Sequence, residues 1–216
     1  MPRPSRNIDA QLLQAGRELF PDTGVQGLTV RRVADRAHVN LGMFHYHFRN
    51  KQAFVRALLQ QIYDEMFARL ELAAAAPAPV EALRRSLNVL GRFARDNASL
   101  LRRLMAEMMA GEPFVLEFLR ANMPRHVGVL AGLVRSAQRD GSLQPIAIPQ
   151  AIALLAGSVA APLVIGTALG ERGLFPCEVA ATIAHTLTSD RAIAQRVDCA
   201  LAGLSAKPGL KRGASR

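Results

Sequence analysis

The sequence predicts an all-α protein in which a small N-terminal helical domain precedes a larger helical domain. Three observations support this fold class. Half of the 216 residues are hydrophobic and only 5% are aromatic, and the abundant alanine and leucine favour helix over strand. Apolar residues recur at helical spacing along most of the chain. Pro77-Ala78-Pro79 interrupts this pattern, and the helices predicted after it are longer than most of those before it.

Four helices are predicted before this break. The first covers Asn7 to Phe20 and is expected to end at Pro21 and Gly24. Thr29 and Asn40 are residue types that cap helices, and each precedes a short apolar-periodic segment. They predict a second helix from Val30 to Ala37 and a third from Leu41 to Phe48. The fourth begins near Lys51 and ends in the alanine run at 73–76.

Five helical regions are predicted after the break, with boundaries set by proline and glycine. The turn Asp140-Gly141-Ser142 separates the third from the fourth. The fourth carries no charged residue, and Pro124 predicts an irregularity in the third. The five regions are Val80–Arg95, Ala98–Ala110, Pro113–Arg139, Pro149–Leu169 and Pro176 to about Leu204.

The second and third helices, with the first ahead of them, form a helix-turn-helix pattern. The third helix is short, begins with small or polar groups and is followed at once by basic residues. A helix of this kind can enter the DNA major groove, which is about 12 Å wide, with its first side chains at the base edges. The spacing by itself suits a small helical bundle equally well.

The charge of the chain is concentrated at its two ends. The net charge is +10, of which residues 1–60 carry +5 and residues 205–216 carry +4. A localised basic region is expected of a module that binds a polyanion, although a solvated surface would look the same.

The identities of the residues in this region support the DNA-binding hypothesis. The stretch TVRRVADRAHVNLGMFHYHFRNKQAF, Thr29 to Phe54, resembles the DNA-binding signature of the TetR/AcrR transcriptional regulators. The elements that carry the resemblance are Thr29-Val30, Val33-Ala34, Ala37, Val39, Gly42, the aromatic and histidine run Phe44–Phe48, and Asn50-Lys51. The resemblance implies a transcriptional regulator, by family tendency a repressor, that binds a palindromic operator. Beyond this stretch the similarity is architectural.

The resemblance assigns roles to individual positions. Thr29 and Lys51 correspond to phosphate contacts, and Arg31 to a groove-facing residue. Leu41, Gly42 and Met43 correspond to positions facing base edges, so apolar contact and DNA shape would contribute to recognition. Aromatic contacts to the sugar-phosphate backbone or bases complete the predicted set, which is Thr29, Arg31, Asn40, Leu41, Gly42, Met43, His45, Tyr46, His47 and Lys51.

For four further positions near the turn, the sequence predicts burial, backbone geometry or capping rather than DNA contact. Phe44 and Phe48 are expected in the core. His38 stands where the family usually has glycine, so it must tolerate a positive φ or the turn must differ. Arg32 stands where the family often has an acidic residue, so no reciprocal capping box is expected.

The resemblance also implies the organisation of the remaining chain. It places a DNA-binding domain at residues 1–52 and an effector-binding and dimerisation domain at residues 53–204. Residues 205–216 are expected to form a basic, disordered tail. Homodimerisation is implied through the last two long helices, and the small-residue, uncharged segment Ala151–Gly170 supports it because small residues let helices approach closely.

A cavity for a small, apolar effector is implied among the central helices. Methionine is pliable and suits adaptable apolar binding, although an ordinary core would have the same composition. Glu107, Arg125 and His126 are candidates for orienting a polar group of the ligand. The predicted ligand-binding set is Met105, Met108, Met109, Phe114, Phe118, Met123 and His126.

The sequence lacks the motifs that would indicate an enzyme, a bound cofactor or a metal site. The sequence contains no nucleophile elbow, P-loop, dinucleotide-binding turn or HExxH, so neither an enzyme nor a bound cofactor is predicted. Cys177 and Cys199 lack metal-ligand spacing, so no metal site is predicted. The absence of a secretory signal predicts a cytoplasmic protein. Ala151–Gly170 has the length of a membrane span but modest hydrophobicity. The alternative hypothesis is a helical protein-interaction or membrane-associated module without specific DNA binding.

Overall fold

The computed structural model describes residues 8–166, 168 and 175–206. This part of the chain is all-α, as the sequence predicts. The helices are α1 (Ile8–Gly27), α2 (Val30–Arg36), α3 (Leu41–His47), α4 (Lys51–Ala74), α5 (Pro79–Asp96), α6 (Ala98–Met109), α7 (Pro113–Arg139), α8 (Ile148–Val159), α9 (Cys177–Thr188) and α10 (Asp190–Leu204), with a π-helical turn at Pro162–Gly166.

The described residues form two compact units. The first contains residues 8–67 together with Asn97–Met123, and the second contains Ala68–Asp96 and the described residues from Pro124 onward. The first unit therefore holds the three N-terminal helices, α6, most of α4 and the start of α7. The proposed domain boundaries at residues 52 and 204 remain predictions.

Apolar side chains of α1, α3 and α4 form the core of the first unit. Leu12, Phe20 and Phe44 are completely buried, and Phe54 is 1% exposed. The α1 backbone approaches α4 so closely that a Cβ added at Gly16 would lie 2.6 Å from the Phe54 ring. A glycine at this position therefore permits the approach of the two helices.

The core of the second unit joins α5, α8, α10 and the second half of α7. Helix α5 approaches α10 closely at Gly91, where an added Cβ would lie 2.6 Å from Ile193 Cγ2. Ion pairs flank this contact: Arg84 Nε lies 2.9 Å from Asp198 Oδ1, and Arg95 pairs with Asp190.

Most of the predicted helix boundaries are confirmed within one or two residues. In the first helix the predicted break at Gly24 is confirmed, because this residue has non-helical angles, with φ 64° and ψ −170°. Pro21 does not end the helix, which passes through it to the kink at Gly24 and ends at Gly27. Proline removes one backbone donor but tolerates helical φ, so the break falls at the glycine.

The prediction of one continuous uncharged helix from Pro149 to Leu169 is also wrong. Helix α8 ends at Val159, and the chain then makes a π-helical turn from Pro162. Pro162 has no N–H to continue the α-helical hydrogen bonds. Instead, the backbone N–H groups of Leu163 and Val164 both donate to Ala160 O, each at 3.1 Å. The predicted residues 167, 169 and 170 of this segment lie outside the described ranges.

The last predicted helical region is two helices rather than one. Ser189 has φ −63° and ψ 148°, which ends α9, and its hydroxyl accepts a hydrogen bond from Ala192 N at 3.2 Å. This is an N-cap, a serine role that competes with helix continuation.

The first two residues of the predicted tail contact the turn before α8. Ala206 N donates to Ser142 O at 3.2 Å, and Ser205 forms an isolated antiparallel bridge with Leu143. The remainder of the tail, from residue 207, and the first seven residues of the chain lie outside the described ranges.

One described segment reaches the length and apolarity of a membrane span. Ile148–Gly166 has a mean hydropathy of 1.9 and 28% of it is buried. By itself this is weak evidence, because apolar helices of soluble proteins meet the same criterion.

Candidate nucleic-acid interface

Helix α3 is anchored on one side and open on the other. The Asn40 side chain caps it by accepting a hydrogen bond from Met43 N at 2.9 Å, which confirms the predicted cap. Phe44 is completely buried, whereas Leu41 is 47% and Tyr46 is 74% exposed. At Gly42 the nearest atom to an added Cβ would be Asn40 Oδ1, 3.4 Å away. The start of the helix therefore presents a small, sterically open backbone.

An aromatic cluster fixes the inner side of this helix. The Phe44 ring centroid lies 5.7 Å from that of Phe48 and 5.2 Å from that of Phe54. Phe44 is a core residue, as predicted. Phe48 ends α3 as its C-cap and is only half-buried, but its ring packs edge-on against Phe54 with centroids 5.0 Å apart.

Helix α2 begins at a capped, basic N-terminus. The Thr29 hydroxyl accepts a hydrogen bond from Arg32 N at 3.3 Å, which confirms the cap. An arginine at this position offers no acceptor for a reciprocal bond. Arg31 and Arg32 are both exposed. The backbone N–H groups at a helix start and the adjacent guanidinium groups attract anions such as phosphates.

The other end of α2 is held to α1 by an ion pair. Arg36 Nη2 contacts Glu18 Oε2, and Gln14 Nε2 donates to the other Glu18 oxygen at 3.1 Å. The Gln14 hydrogen bond and then the Arg36 charge hold the pKa of Glu18 below its ordinary value. Arg36 is therefore paired within the protein, whereas Arg31 forms no ion pair with any of the described residues.

The turn between α2 and α3 contains a residue in the left-handed region. His38 has a φ of 55°, which is the positive φ expected where the family usually has glycine. Backbone bonds close the turn on both sides: His38 N donates to Asp35 O at 3.2 Å and Val39 N donates to Ala34 O at 3.0 Å.

Lys51 begins α4 and already has a partner within the protein. Its Nζ donates to Gln26 O at 3.1 Å. An ammonium group has three donors, so the contact leaves two of them for a phosphate. Asn50 caps the same helix by accepting from Ala53 N at 2.8 Å. The sequence contained the signal for this cap, an asparagine directly before a helix.

All ten predicted DNA-binding residues belong to the first unit, and none is buried. Seven are exposed and three are half-buried. They lie at the start of α2, along the open side of α3 and at the start of α4. The exposed residues are Thr29, Arg31, Asn40, Leu41, Gly42, His45 and Tyr46; the half-buried ones are Met43, His47 and Lys51.

The predicted ligand-binding residues have mixed environments. Phe118 is 7% exposed, whereas Met105, Met108 and Met109 are 41%, 37% and 82% exposed. His126 belongs to the second unit and the other six residues to the first. Phe114 stacks under the Arg56 guanidinium at 5.3 Å. The cavity they were predicted to form remains a prediction.

Glu107 has a different partner from the one the sequence suggested. Its Oε1 accepts a hydrogen bond from Val25 N of α1 at 2.8 Å, and burial raises the pKa of this carboxyl. Arg103, which was not among the predicted site residues, donates to Pro21 O at 3.0 Å. No local sequence pattern predicts these contacts, because they join residues about 80 positions apart.

Among the described residues no group of three histidine, cysteine or acidic side chains is arranged to hold a metal ion. Cys177 and Cys199 are both exposed thiols.

A capped α3 with an open outer side, preceded by the basic start of α2, is the arrangement typical of helix-turn-helix DNA-binding domains. Residues 12–58 match the family described as bacterial regulatory proteins, tetR family. The transcriptional regulator RutR of Escherichia coli K12 is 27% identical over 145 residues, which cover 66% of this chain and 68% of RutR. The transcriptional repressor Rv3405c of Mycobacterium tuberculosis is 30% identical over 131 residues, covering 58% and 64%.

Solved structures of other proteins are similar in fold. A tetR-family regulatory protein from Rhodococcus RHA1 superposes with a TM-score of 0.70 at 18% identity, covering 94% of this chain and all of that one. Residues 12–58 therefore form a DNA-binding domain of the TetR family, and the described chain has the fold of a TetR-family regulatory protein.

Proposed function

We propose that this regulator is a ligand-responsive repressor that binds a palindromic operator as a homodimer in the cytoplasm and is released by a small, apolar effector. The observation that supports it most directly is the open side of α3, where Leu41, Gly42 and Tyr46 are exposed beside a buried Phe44 anchor. The relative Rv3405c is named as a transcriptional repressor, which supports repression rather than activation.

The proposed reading of DNA follows from the side chains at the start of α3. Leu41 and Gly42 have no side-chain donor or acceptor, so they would contribute apolar contact and close backbone approach rather than bidentate hydrogen bonds. Specificity would then depend on thymine methyl groups and on the shape of the groove. Arg31 would face the groove, and Lys51 would supply a phosphate contact that fixes the register.

Uncovered apolar surface in the second unit supports the proposed homodimer. Leu154 of α8, Ile165 of the π-helical turn and Val179 of α9 are 44%, 49% and 44% exposed. The apolar side of α10 is instead buried against α5 and α8. A two-fold interface would therefore use α8, the π-helical turn and α9. Two reading heads about 34–36 Å apart would then meet successive major grooves.

The methionines of α6 support an apolar effector more weakly. Met105, Met108 and Met109 share one helix side at i, i+3 and i+4 spacing and are all exposed. A flexible apolar surface of this kind adapts to ligands of different shape.

The test compares two DNA-contact variants with a matched control. Arg31→Ala removes an exposed guanidinium from α2, and Tyr46→Ala removes a ring that is 74% exposed. Arg69→Ala, at an exposed arginine of α4, removes the same charge and is the control. Affinity is measured at two salt concentrations for the DNA upstream of the protein's own gene and for random DNA.

We expect Arg31→Ala to weaken operator binding about tenfold and to lower the preference for the operator over random DNA, because a groove-facing guanidinium is lost. Tyr46→Ala should weaken operator binding by about tenfold, or about 1.4 kcal/mol, with unchanged stability. Arg69→Ala should leave operator preference unchanged. If the wild-type protein shows no preference for any sequence over random DNA, the repressor proposal is wrong and the protein-interaction or membrane-associated module becomes the better hypothesis.

A further inference from the structure

The break in α1 leaves backbone groups without their helical partners. In an α-helix Val25 N would donate to Pro21 O, four residues earlier. Gly24, with φ 64° and ψ −170°, interrupts this geometry. Val25 N donates instead to Glu107 Oε1 at 2.8 Å, and Pro21 O accepts from Arg103 Nε at 3.0 Å. The two halves of one missing backbone bond are thus each satisfied by α6.

Arg103 and Glu107 are four residues apart on α6 and so lie on the same side of it. Arg103 also reaches the next carbonyl, with Nη2 2.6 Å from Asp22 O. Glu107 lies so close to the α1 backbone that a Cβ added at Gly24 would be only 1.9 Å from Glu107 Oε1. We call these two α6 side chains, with their bonds to residues 21–25, the α6 clamp.

The clamped corner leads directly into the proposed DNA-binding surface. Gln26 follows it, and its carbonyl accepts from Lys51 Nζ at 3.1 Å while its amide donates to Glu112 Oε2 at 3.0 Å. Thr29, the cap of α2, stands three residues later. The angle at which the chain leaves Gly24 therefore sets where α2 and α3 begin relative to α1.

We propose that Arg103 and Glu107 are positioning residues for DNA binding, which act by holding the corner at Gly24 so that α2 and α3 stand in the reading orientation. This inference rests on the proposed function. Specific recognition requires side chains at defined places in the groove, whereas nonspecific attraction depends mainly on charge. Loss of the clamp should therefore lower the ratio of specific to nonspecific affinity.

The clamp depends on an acceptor at position 107 rather than on a negative charge. Glu107 Oε2 is buried and has no hydrogen-bond partner among the described residues, and desolvation raises the pKa of the carboxyl. A glutamine side-chain oxygen can accept from Val25 N in the same way. Glu107→Gln is thus the conservative variant and Glu107→Ala the disruptive one.

The experiment measures affinities of the full-length protein for its preferred DNA sequence, selected from a random library, and for an unrelated fragment of equal length. Glu71→Ala removes an exposed carboxylate from α4 and controls for the change in net charge. We expect the specific-to-nonspecific ratio to fall about tenfold in Glu107→Ala and to stay within about twofold of wild type in Glu107→Gln and Glu71→Ala. Hydrogen exchange should accelerate at residues 21–40 in Glu107→Ala.

Two results would overturn the inference. One is a folded Glu107→Ala protein with the wild-type ratio, and the other is a Glu107→Gln protein that loses the ratio as fully as Glu107→Ala. If Glu107→Ala fails to fold, Arg103→Lys decides, since lysine has no planar fork to reach both carbonyls; an unchanged ratio in that variant contradicts the proposal. A wild-type protein with no sequence preference contradicts the proposed function itself, which separates the two failures.

Discussion

His38 carries the backbone strain of the helix-turn-helix. Its φ of 55° lies in the region where a Cβ approaches the following carbonyl and where bulky or β-branched residues are genuine outliers. Histidine and asparagine tolerate this region better than most non-glycine residues. The turn therefore keeps its geometry without the glycine that usually occupies it.

We expect His38→Val to lower the free energy of unfolding by about 1–3 kcal/mol, because a β-branched residue would be forced into the left-handed region. His38→Asn should change it by less than about 0.5 kcal/mol, as expected for an exposed, tolerant site. Denaturant unfolding monitored by circular dichroism measures both. Equal stabilities for the valine and asparagine variants would show that the turn does not require a positive φ at this position.

At the scale of the element, side chains form hydrogen bonds with the backbone groups at helix ends that have no partner within the helix. Ser189 caps α10, and Arg95 of α5 reaches the same junction by donating to Thr188 O at 3.2 Å and pairing with Asp190. Asp190 stands in the first turn of α10, where a negative charge also interacts favourably with the helix dipole. The Arg95 hydrogen bond lowers the pKa of Asp190.

This lowered pKa predicts a pH-dependent stability. A carboxyl whose pKa is lower in the folded than in the unfolded state stabilises the protein above its unfolded pKa, and the contribution is lost as pH falls through the folded pKa. Asp190→Asn should therefore be less stable than wild type at neutral pH, and the difference should vanish in acid. Denaturant unfolding at several pH values measures it.

Asp35→Asn serves as the control, because Asp35 is exposed on α2 and forms no ion pair within the described ranges. A stability difference for Asp190→Asn that stays constant from neutral to acid pH would mean that the Arg95 contact does not stabilise the folded state through this carboxylate.

At the scale of the whole molecule, the proposed function requires two copies with matched DNA-binding units. The apolar side chains left exposed on α8, the π-helical turn and α9 are the proposed contact. A charge placed there would have to be desolvated in the interface without a partner, which is costly.

We expect Leu154→Glu to convert the dimer to a monomer and to weaken operator binding strongly, because one half-site supplies only part of the contacts. Leu72→Glu, at a leucine of α4 that is 79% exposed, adds the same charge and should leave the dimer intact. Analytical ultracentrifugation measures the oligomeric state. A dimeric Leu154→Glu protein would place the interface elsewhere.

The order of helices and the candidate DNA-binding surface could be read from the sequence because the relevant signals are local. Thr29 and Asn40 cap helices through hydrogen bonds within three residues. The turn at His38 likewise depends on its own φ. The α6 clamp could not be predicted in this way, since Arg103 and Glu107 resemble any exposed charged pair at i, i+4 spacing until α1 is packed against α6.

By itself, therefore, the sequence determined the all-α class, the helix caps and the break at Gly24, because helix propensity, capping and apolar periodicity act over a few residues. Only the tertiary structure decided that α1 runs past Pro21, that the uncharged segment turns at Pro162, and that Glu107 accepts a hydrogen bond from the backbone of α1. Each of these outcomes depends on which backbone groups find partners after packing, and distant parts of the chain supply those partners.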